Sequence, residues 1–409
     1  MKEVQGGVCA AKGFKATGLE VGIKGELNGK KDMAMIFCDG PCMAAGTFTS
    51  NLVKAAPVKW DRKTIDESGD IRAIVINSGI ANACTGETGM EYCREISAEV
   101  SRISGVNKEE VLTASTGVIG YQLPIGKIKE GINKLYPNVG NSHEDATKAA
   151  EAIMTTDTVS KQVAVKTEIN GHEVTVGGMC KGSGMIHINM CTMLGFITTD
   201  VNISKEMLTK ALNTVIPDTF NMVSVDGDTS TNDTVIILAD GMAENEKITK
   251  EGQDYDEFVK ALNYVCTELA KKIAGDGEGA TKLFEVMVVN ADTKENAVTL
   301  SKSVVTSSLT KAAIFGNDAN WGRILCALGY SGAKFDPEIV DIYFESEAGK
   351  IQIVENGVAT DYSEEEATRI LNMDAVRTIC DMKMGDAMAT AYGCDLTYDY
   401  VKINADYRS

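Results

Sequence analysis

The chain is 409 residues long, beyond the size at which one hydrophobic core keeps growing, so it reads as two or three packed lobes. Its residues are 44% hydrophobic and 24% charged with six prolines, a globular composition without long disordered linkers. Forty Lys and Arg stand against 58 Asp and Glu, a net charge of −18 with no basic block, which argues against nucleic acid or an anionic membrane as partner.

The opening MKEVQGGVCAAKGF lacks the apolar core of a signal peptide, and no apolar run is long enough to span a bilayer, so a cytoplasmic location is expected. IRAIVINSG, residues 71–79, predicts a buried strand, and MEYCREISAEVSRIS, residues 90–104, a helix with apolar residues at helical spacing. Ser142 is placed to cap a helix over HEDATKAAEAIM, with acids in its first turn. KQVAVKTEINGHEVTVGG alternates on both sides of Asn170-Gly171, a hairpin signal. LGFITTD predicts a strand, and Ser204 followed by Met207 starts a helix. DTVIILADG (233–241) predicts a further strand. YDEFVKALNYVCTELAKKIA (255–274) predicts a helix stopped at Gly275. EVMVVNA and EIVDIYFES predict strands, and the tail DLTYDYVKINADYRS predicts an alternating strand that runs into a polar end. Helices and strands mix without strict β-α alternation, so the expected fold class is α/β in the α+β sense, β-sheets flanked by helices with a smaller C-terminal lobe.

Eleven cysteines lie scattered with no C-x-x-C pair, and the only histidines are His143, His172 and His187. That pattern predicts reduced, mostly buried thiols and no structural zinc; the reading calls for no metal and no cofactor.

Four local patterns bear on chemistry. GDGEGATK (275–282) suggests a phosphate loop but lacks the Gly-Lys-Ser/Thr ending and follows a helix instead of opening one, although Glu278 stands out among its small residues. SVDGDTSTNDTV (224–235) has the spaced aspartates of a calcium loop without the Glu at its twelfth position, and capped turns before a strand explain it better. His187 lies five residues from Thr192 but shows no recognisable triad motif. The fourth pattern is KGSGMIHINMCTMLGF, residues 181–196, which keeps a hydroxyl at Thr192 in an apolar setting after pliable glycines. Thr192 is either β-branched filler at a strand edge or a nucleophile activated by its own α-amine after a cut between Cys191 and Thr192. An α-amine has a pKa of roughly 7.7–8.0, so much of it is a neutral base near physiological pH.

KGSGMIHINMCTMLGFITTD resembles the self-cleavage segment of the glutamate N-acetyltransferase/ornithine acetyltransferase family of arginine biosynthesis. GGVCAAKGFKATGLEVGIK, FTSNLVKAAPV, INSGIANACTG, STGVIG, MTTDT, GDGEGATK, NDANWGRI and GCDLTYDYVKINADYRS extend that resemblance over nearly the whole chain. Cys191 replaces the usual Ala, Ile188 stands where Pro is frequent, Ala319 replaces a Pro, and Ser409 replaces a terminal Thr.

The resemblance implies a fold related to N-terminal-nucleophile-like amidases, and self-cleavage into an alpha chain, 1–191, and a beta chain, 192–409. It implies Thr192 as nucleophile and Thr116 with Gly117 as oxyanion hole. Substrate contacts fall on Thr155, Lys181, Thr192, Glu278, Asn404 and Ser409, with Thr155 and its neighbour Thr156 left as alternatives. Lys181 suits an α-carboxylate and Glu278 the ornithine ammonium, while glutamate must bring a carboxylate to the same end, which calls for a polar, partly hydrated pocket.

The implied activity moves acetyl from N²-acetylornithine to glutamate through an acetyl-threonine. Acetyl-CoA is left open as a further donor. Implied too is an assembly of two alpha and two beta chains. The rival readings are an amidase or aminopeptidase with the same nucleophile, passing the acyl group to water, and a non-catalytic binding relative, which should have lost Thr192, Thr116 or Glu278.

Overall fold

The computed structural model describes residues 1–187 and 193–406. A 16-residue strand, Met33–Phe48, organises the larger sheet. Its ladder is interrupted between Phe37 and Cys42, so its two halves take different neighbours. The first half pairs with Phe14–Leu19 and with Ile71–Ile80, and the second half with Thr234–Ala239.

This nine-stranded sheet runs Lys2–Glu3, Lys161–Ile169, His172–Lys181, Leu194–Thr199, Thr234–Ala239, Met33–Phe48, Ile71–Ile80, Val111–Val118, with Phe14–Leu19 off the path. Its central strands are apolar almost throughout, because both faces are covered. His143–Ala152 packs on Phe14–Leu19, Lys205–Val215 on Met33–Phe48, and Gln253–Gly275 on Lys161–Ile169. The mixture of parallel and antiparallel ladders agrees with the expected layers of sheet and helix.

The smaller C-terminal lobe is a six-stranded sheet ordered Val358–Ala359, Gly349–Glu355, Asp341–Ser346, Ala375–Asp381, Leu283–Ala291, Ala387–Cys394. The helix Lys294–Thr306 covers its last two strands. One apolar core runs from Val174 and Ile197 of the large sheet through Phe258 and Leu262 to Val286 and Ala391 of the small one. That continuity fixes the two lobes against each other and so fixes what lies between them.

The hairpin forms as expected, with Asn170 and Gly171 both at positive φ in a two-residue turn between Lys161–Ile169 and His172–Lys181. Ser142 caps its helix by accepting from the Asp145 amide. Two expectations need correction. The start of the tail is no strand: Tyr398–Asp406 is a helix, led in by Thr397, whose Oγ donates to the Gly279 carbonyl and accepts from the Asp399 amide. SVDGDT is more than capped turns, since Ser224–Thr229 is a strand paired with Ile186–His187. Ten cysteines fall among the described residues, all free and all buried except Cys84 and Cys326.

Candidate active site

A cavity of about 140 Å³ opens where the two lobes meet, lined by Thr116, Gly117, Thr155, Thr156, Lys181, Gly184, Met185, Met193, Asn232, Glu278 and Asn404 among others. Of the expected site residues, Thr116, Gly117, Thr155, Lys181, Glu278 and Asn404 all come together here, from segments up to 288 positions apart (404 − 116). Thr155 and Thr156 both reach the cavity. Cys191, Thr192 and Ser409 lie outside the described residues.

One wall is the end of the strand Val111–Val118, which runs parallel to Ile71–Ile80 with Thr116 opposite Ser78 and Gly117 opposite Gly79. Gly117 has φ 127°, and a side chain there would meet the Gly79 carbonyl carbon at 2.3 Å, so the two backbones approach this closely only because position 117 is glycine. Next to Thr116 the hydrogen bonding is neutral, although Asp233 also lines the cavity and Asp61 accepts from the Thr113 amide farther back on the strand. Ser115 donates to Asn77 Oδ1 at 2.7 Å, and Asn232 Nδ2 donates to the carbonyls of Ala81 and Ser115 at 2.6 and 2.7 Å. Side-chain amides thus pin the backbone next to Thr116 without bringing charge to it.

The opposite wall is ionic. Lys181 ends its strand, is 7% exposed, and holds its ammonium 3.7 Å from Asp157 Oδ2. Asp157 accepts from Lys161 Nζ at 2.6 Å and the Gly182 amide at 2.7 Å on Oδ1, and from the Thr155 amide at 3.1 Å on Oδ2. Burial alone would raise this carboxyl, but the ammonium groups of Lys181 and Lys161 hold it below the usual carboxylate range. Lys161 is wholly buried and also reaches Asp276. Burial lowers its pKa, yet Asp157 and Asp276 together raise it, so it stays an ammonium.

Asp276 leads to the loop that carries Glu278. The Asp276 carbonyl accepts from Ser183 Oγ at 2.7 Å, and the Ser183 carbonyl accepts from the Glu278 amide at 3.0 Å. Glu278 Oε2 accepts from Asn404 Nδ2 at 2.7 Å, which brings the C-terminal helix to the site. A side chain at Gly184 would stand 2.3 Å from the Glu278 carboxyl carbon. The lack of a side chain at Gly184 thus leaves room for the Glu278 carboxylate, while the Gly182 amide and the Ser183 hydroxyl are hydrogen-bonded in place.

His187 does not line the cavity; its Nδ1 lies 3.1 Å from Ser224 Oγ, and burial, reinforced by Lys302, lowers its pKa. Among the described residues no group of three or more His, Cys, Asp and Glu side chains could hold a metal.

Sequence reasoning missed Asp157, Asp276, Asn232 and Met185. Asp157 stood inside the quoted MTTDT and Asn232 inside the calcium-like stretch, but the bond of Asp157 to the Gly182 amide spans 25 positions and that of Asn232 to the Ala81 carbonyl 151, where no local pattern signals them.

The ArgJ family model matches residues 15–409. The chain is 52% identical over 396 residues to the arginine biosynthesis bifunctional protein ArgJ 1 of Clostridium acetobutylicum, covering 97% of this chain and 96% of that protein. It is 48% identical over 417 residues to the glutamate N-acetyltransferase of Methanocaldococcus jannaschii, covering the whole of both. The crystal structure of the arginine biosynthesis bifunctional protein argJ from Bacillus halodurans superimposes with a TM-score of 0.50 at 49% identity, covering 52% of this chain and 99% of that one.

Proposed function

The chain belongs to the ArgJ family, and from that premise we propose that it transfers acetyl from N²-acetylornithine to glutamate, giving ornithine and N-acetylglutamate. The observation that carries the reading is the cavity with a neutral strand end, Thr116–Gly117, on one side and the charged pair Lys181 and Glu278 on the other. An acetylated amino acid needs both: a carboxylate and a side-chain terminus to hold, and an amide oxygen whose charge grows during attack.

The active form arises by self-cleavage. The Thr192 hydroxyl attacks the Cys191 carbonyl carbon, the C–N bond breaks as the ester forms, and the hydroxyl proton passes to the departing nitrogen. Water then opens the ester, leaving a Cys191 carboxylate and a Thr192 with free hydroxyl and α-amine. In turnover the α-amine takes the hydroxyl proton, the oxygen attacks the acetyl carbon of acetylornithine, and the oxyanion is stabilised at Thr116 and Gly117. Ornithine leaves with the proton, and the glutamate amine attacks acetyl-Thr192. Lys181 holds the α-carboxylate of either substrate, Thr155 or Thr156 lies beside it, Ser409 completes the contact set, and Glu278 with Asn404 meets the side-chain end. Asn404 carries both a donor and an acceptor, which suits a pocket visited by an ammonium and then a carboxylate.

The two fragments stay together because their strands interleave. Leu194–Thr199 and Thr234–Ala239 of the second fragment lie between His172–Lys181 and Met33–Phe48 of the first. We place two copies of each fragment in the assembly and the enzyme in the cytoplasm; no helix among the described residues is long and apolar enough to cross a membrane.

The test is a side-by-side assay of glutamate acetylation with acetylornithine and with acetyl-CoA as donors. Acetylglutamate from acetylornithine is expected, and the second arm decides whether acetyl-CoA also serves. Release of acetate without acetylglutamate would identify an amidase instead.

A further inference from the structure

The segment before the cut is held by a residue to which no role has yet been given. Asp226 sits in the strand Ser224–Thr229, half-buried. Its two carboxylate oxygens divide two consecutive amides: Oδ2 accepts from Met185 at 2.6 Å and Oδ1 from Ile186 at 2.8 Å. Oδ1 also accepts from the Asp228 amide at 3.2 Å, which orients the carboxylate from its own strand.

The amide it grips at Met185 belongs to a left-handed residue, φ 56°. A non-glycine residue is strained in that region. A charged acceptor taking two consecutive backbone donors helps to hold it there. The next two residues, Ile186 and His187, then pair with the Asp226 strand, and Thr229 Oγ donates to the His187 carbonyl at 3.0 Å. On the far side of the undescribed residues, Met193 is fixed by its carbonyl to the Thr234 amide at 3.0 Å, and Lys181 faces Leu194 in the sheet. The chain leaves and re-enters the sheet at one level, and Asp226 sets the direction in which it leaves.

We infer that Asp226 is a positioning residue for self-cleavage: by clasping the Met185 and Ile186 amides it fixes the stretch of chain that leads toward the Cys191–Thr192 bond. The inference rests on the proposed self-cleavage. It assigns no part of the chemistry to Asp226, which exchanges no proton with the reacting atoms. The clasp crosses the future chain boundary, joining residues 185–186 of the first fragment to residue 226 of the second.

The experiment follows full-length chain, freshly made by cell-free synthesis, into two fragments on a denaturing gel. Wild type gives the reference rate and Thr192→Ala the zero. Asp226→Asn keeps the shape but turns an amide donor toward one of the two backbone donors, and is expected to cleave at least tenfold more slowly with a thermal midpoint close to that of wild type. Asp228→Asn removes a charge from the same strand without touching the clasped amides and should cleave as wild type does.

Two further variants work even if Asp226→Asn does not fold, because Met185 is 42% exposed and its side chain supports no core. Met185→Val makes the left-handed backbone costlier and should slow cleavage several-fold, while Met185→Gly should cleave at least as fast as wild type. Equal rates in Met185→Val, Met185→Gly and wild type, or a folded Asp226→Asn that cleaves normally, would overturn the inference. A wild-type chain that never cleaves would instead overturn the reading of Thr192 on which it rests.

Discussion

The two walls of the cavity are built from different chemistry. The Thr116–Gly117 wall is held by neutral amides and hydroxyls, Asn77, Ser115 and Asn232, and by the approach of Gly117 to Gly79. The Lys181–Glu278 wall is held by buried charge, with Asp157, Lys161 and Asp276 locked together and Glu278 above them. A wall that meets charge appearing only in the transition state is best rigid and uncharged, so that its dipoles need no rearrangement. A wall that meets the ends of amino acids already charged in the ground state is best ionic, and its energy goes into binding. Variants in the first should therefore lower kcat, and variants in the second should raise KM.

The largest effect belongs to Thr192, the proposed nucleophile. Thr192→Ala should leave a single uncleaved band and reduce acetyl transfer by roughly 10⁴-fold or more, since a missing nucleophile leaves only binding and oxyanion stabilisation. On the neutral wall, Thr116→Ala should lower kcat about 10²-fold with KM and thermal midpoint little changed, because one donor is lost from a half-buried position. A variant as fast as wild type would mean that STGVIG is only a turn.

On the ionic wall, Glu278→Gln keeps the shape and removes the charge. It should raise KM for acetylornithine about tenfold, on the order of 1.4 kcal/mol, and that for glutamate less. Equal shifts for both would show that the carboxylate does not meet the ornithine ammonium.

The smallest expected effect is the acid sensitivity of the ionic wall. The Asp157 carboxyl is held below its ordinary value of 3.8 in the folded protein, so its stabilisation is present above that pH and lost as pH falls toward the folded value. The drop in urea midpoint between pH 7 and pH 3 should therefore be smaller in Asp157→Asn than in wild type, whereas Asn232→Ala, which changes no titrating group, should leave it unchanged. An unchanged drop in Asp157→Asn would remove Asp157 from the account.

How much of this was legible in the sequence depends on the range of the interaction. The Asn170-Gly171 turn, the Ser142 cap and the helix Gln253–Gly275 announce themselves because their determinants lie within one turn of chain. The tail misled because DLTYDY alternates, yet Tyr398–Asp406 buries no residue at all, so no hydrophobic face was there to reveal its helical period. Thr116, Lys181, Glu278 and Asn404 were reached through resemblance to a family, and the cavity that gathers them comes from the packing of two sheets. Asp157 and Asp226 went unread for a physical reason: their nearby amide bonds look like ordinary turn bonds, and the contacts that matter, to backbone amides 25 and 41 positions away, leave no spacing to find.

The account stands most directly on whether acetyl rests on Thr192 between the two substrates. Incubating the purified enzyme with acetylornithine alone, then mapping its peptides by mass, measures this. The account predicts one acetyl group on the peptide that begins at Thr192, removed on adding glutamate, with parallel initial-rate lines. An unmodified peptide with intersecting lines would mean direct transfer between bound amino acids and would contradict it.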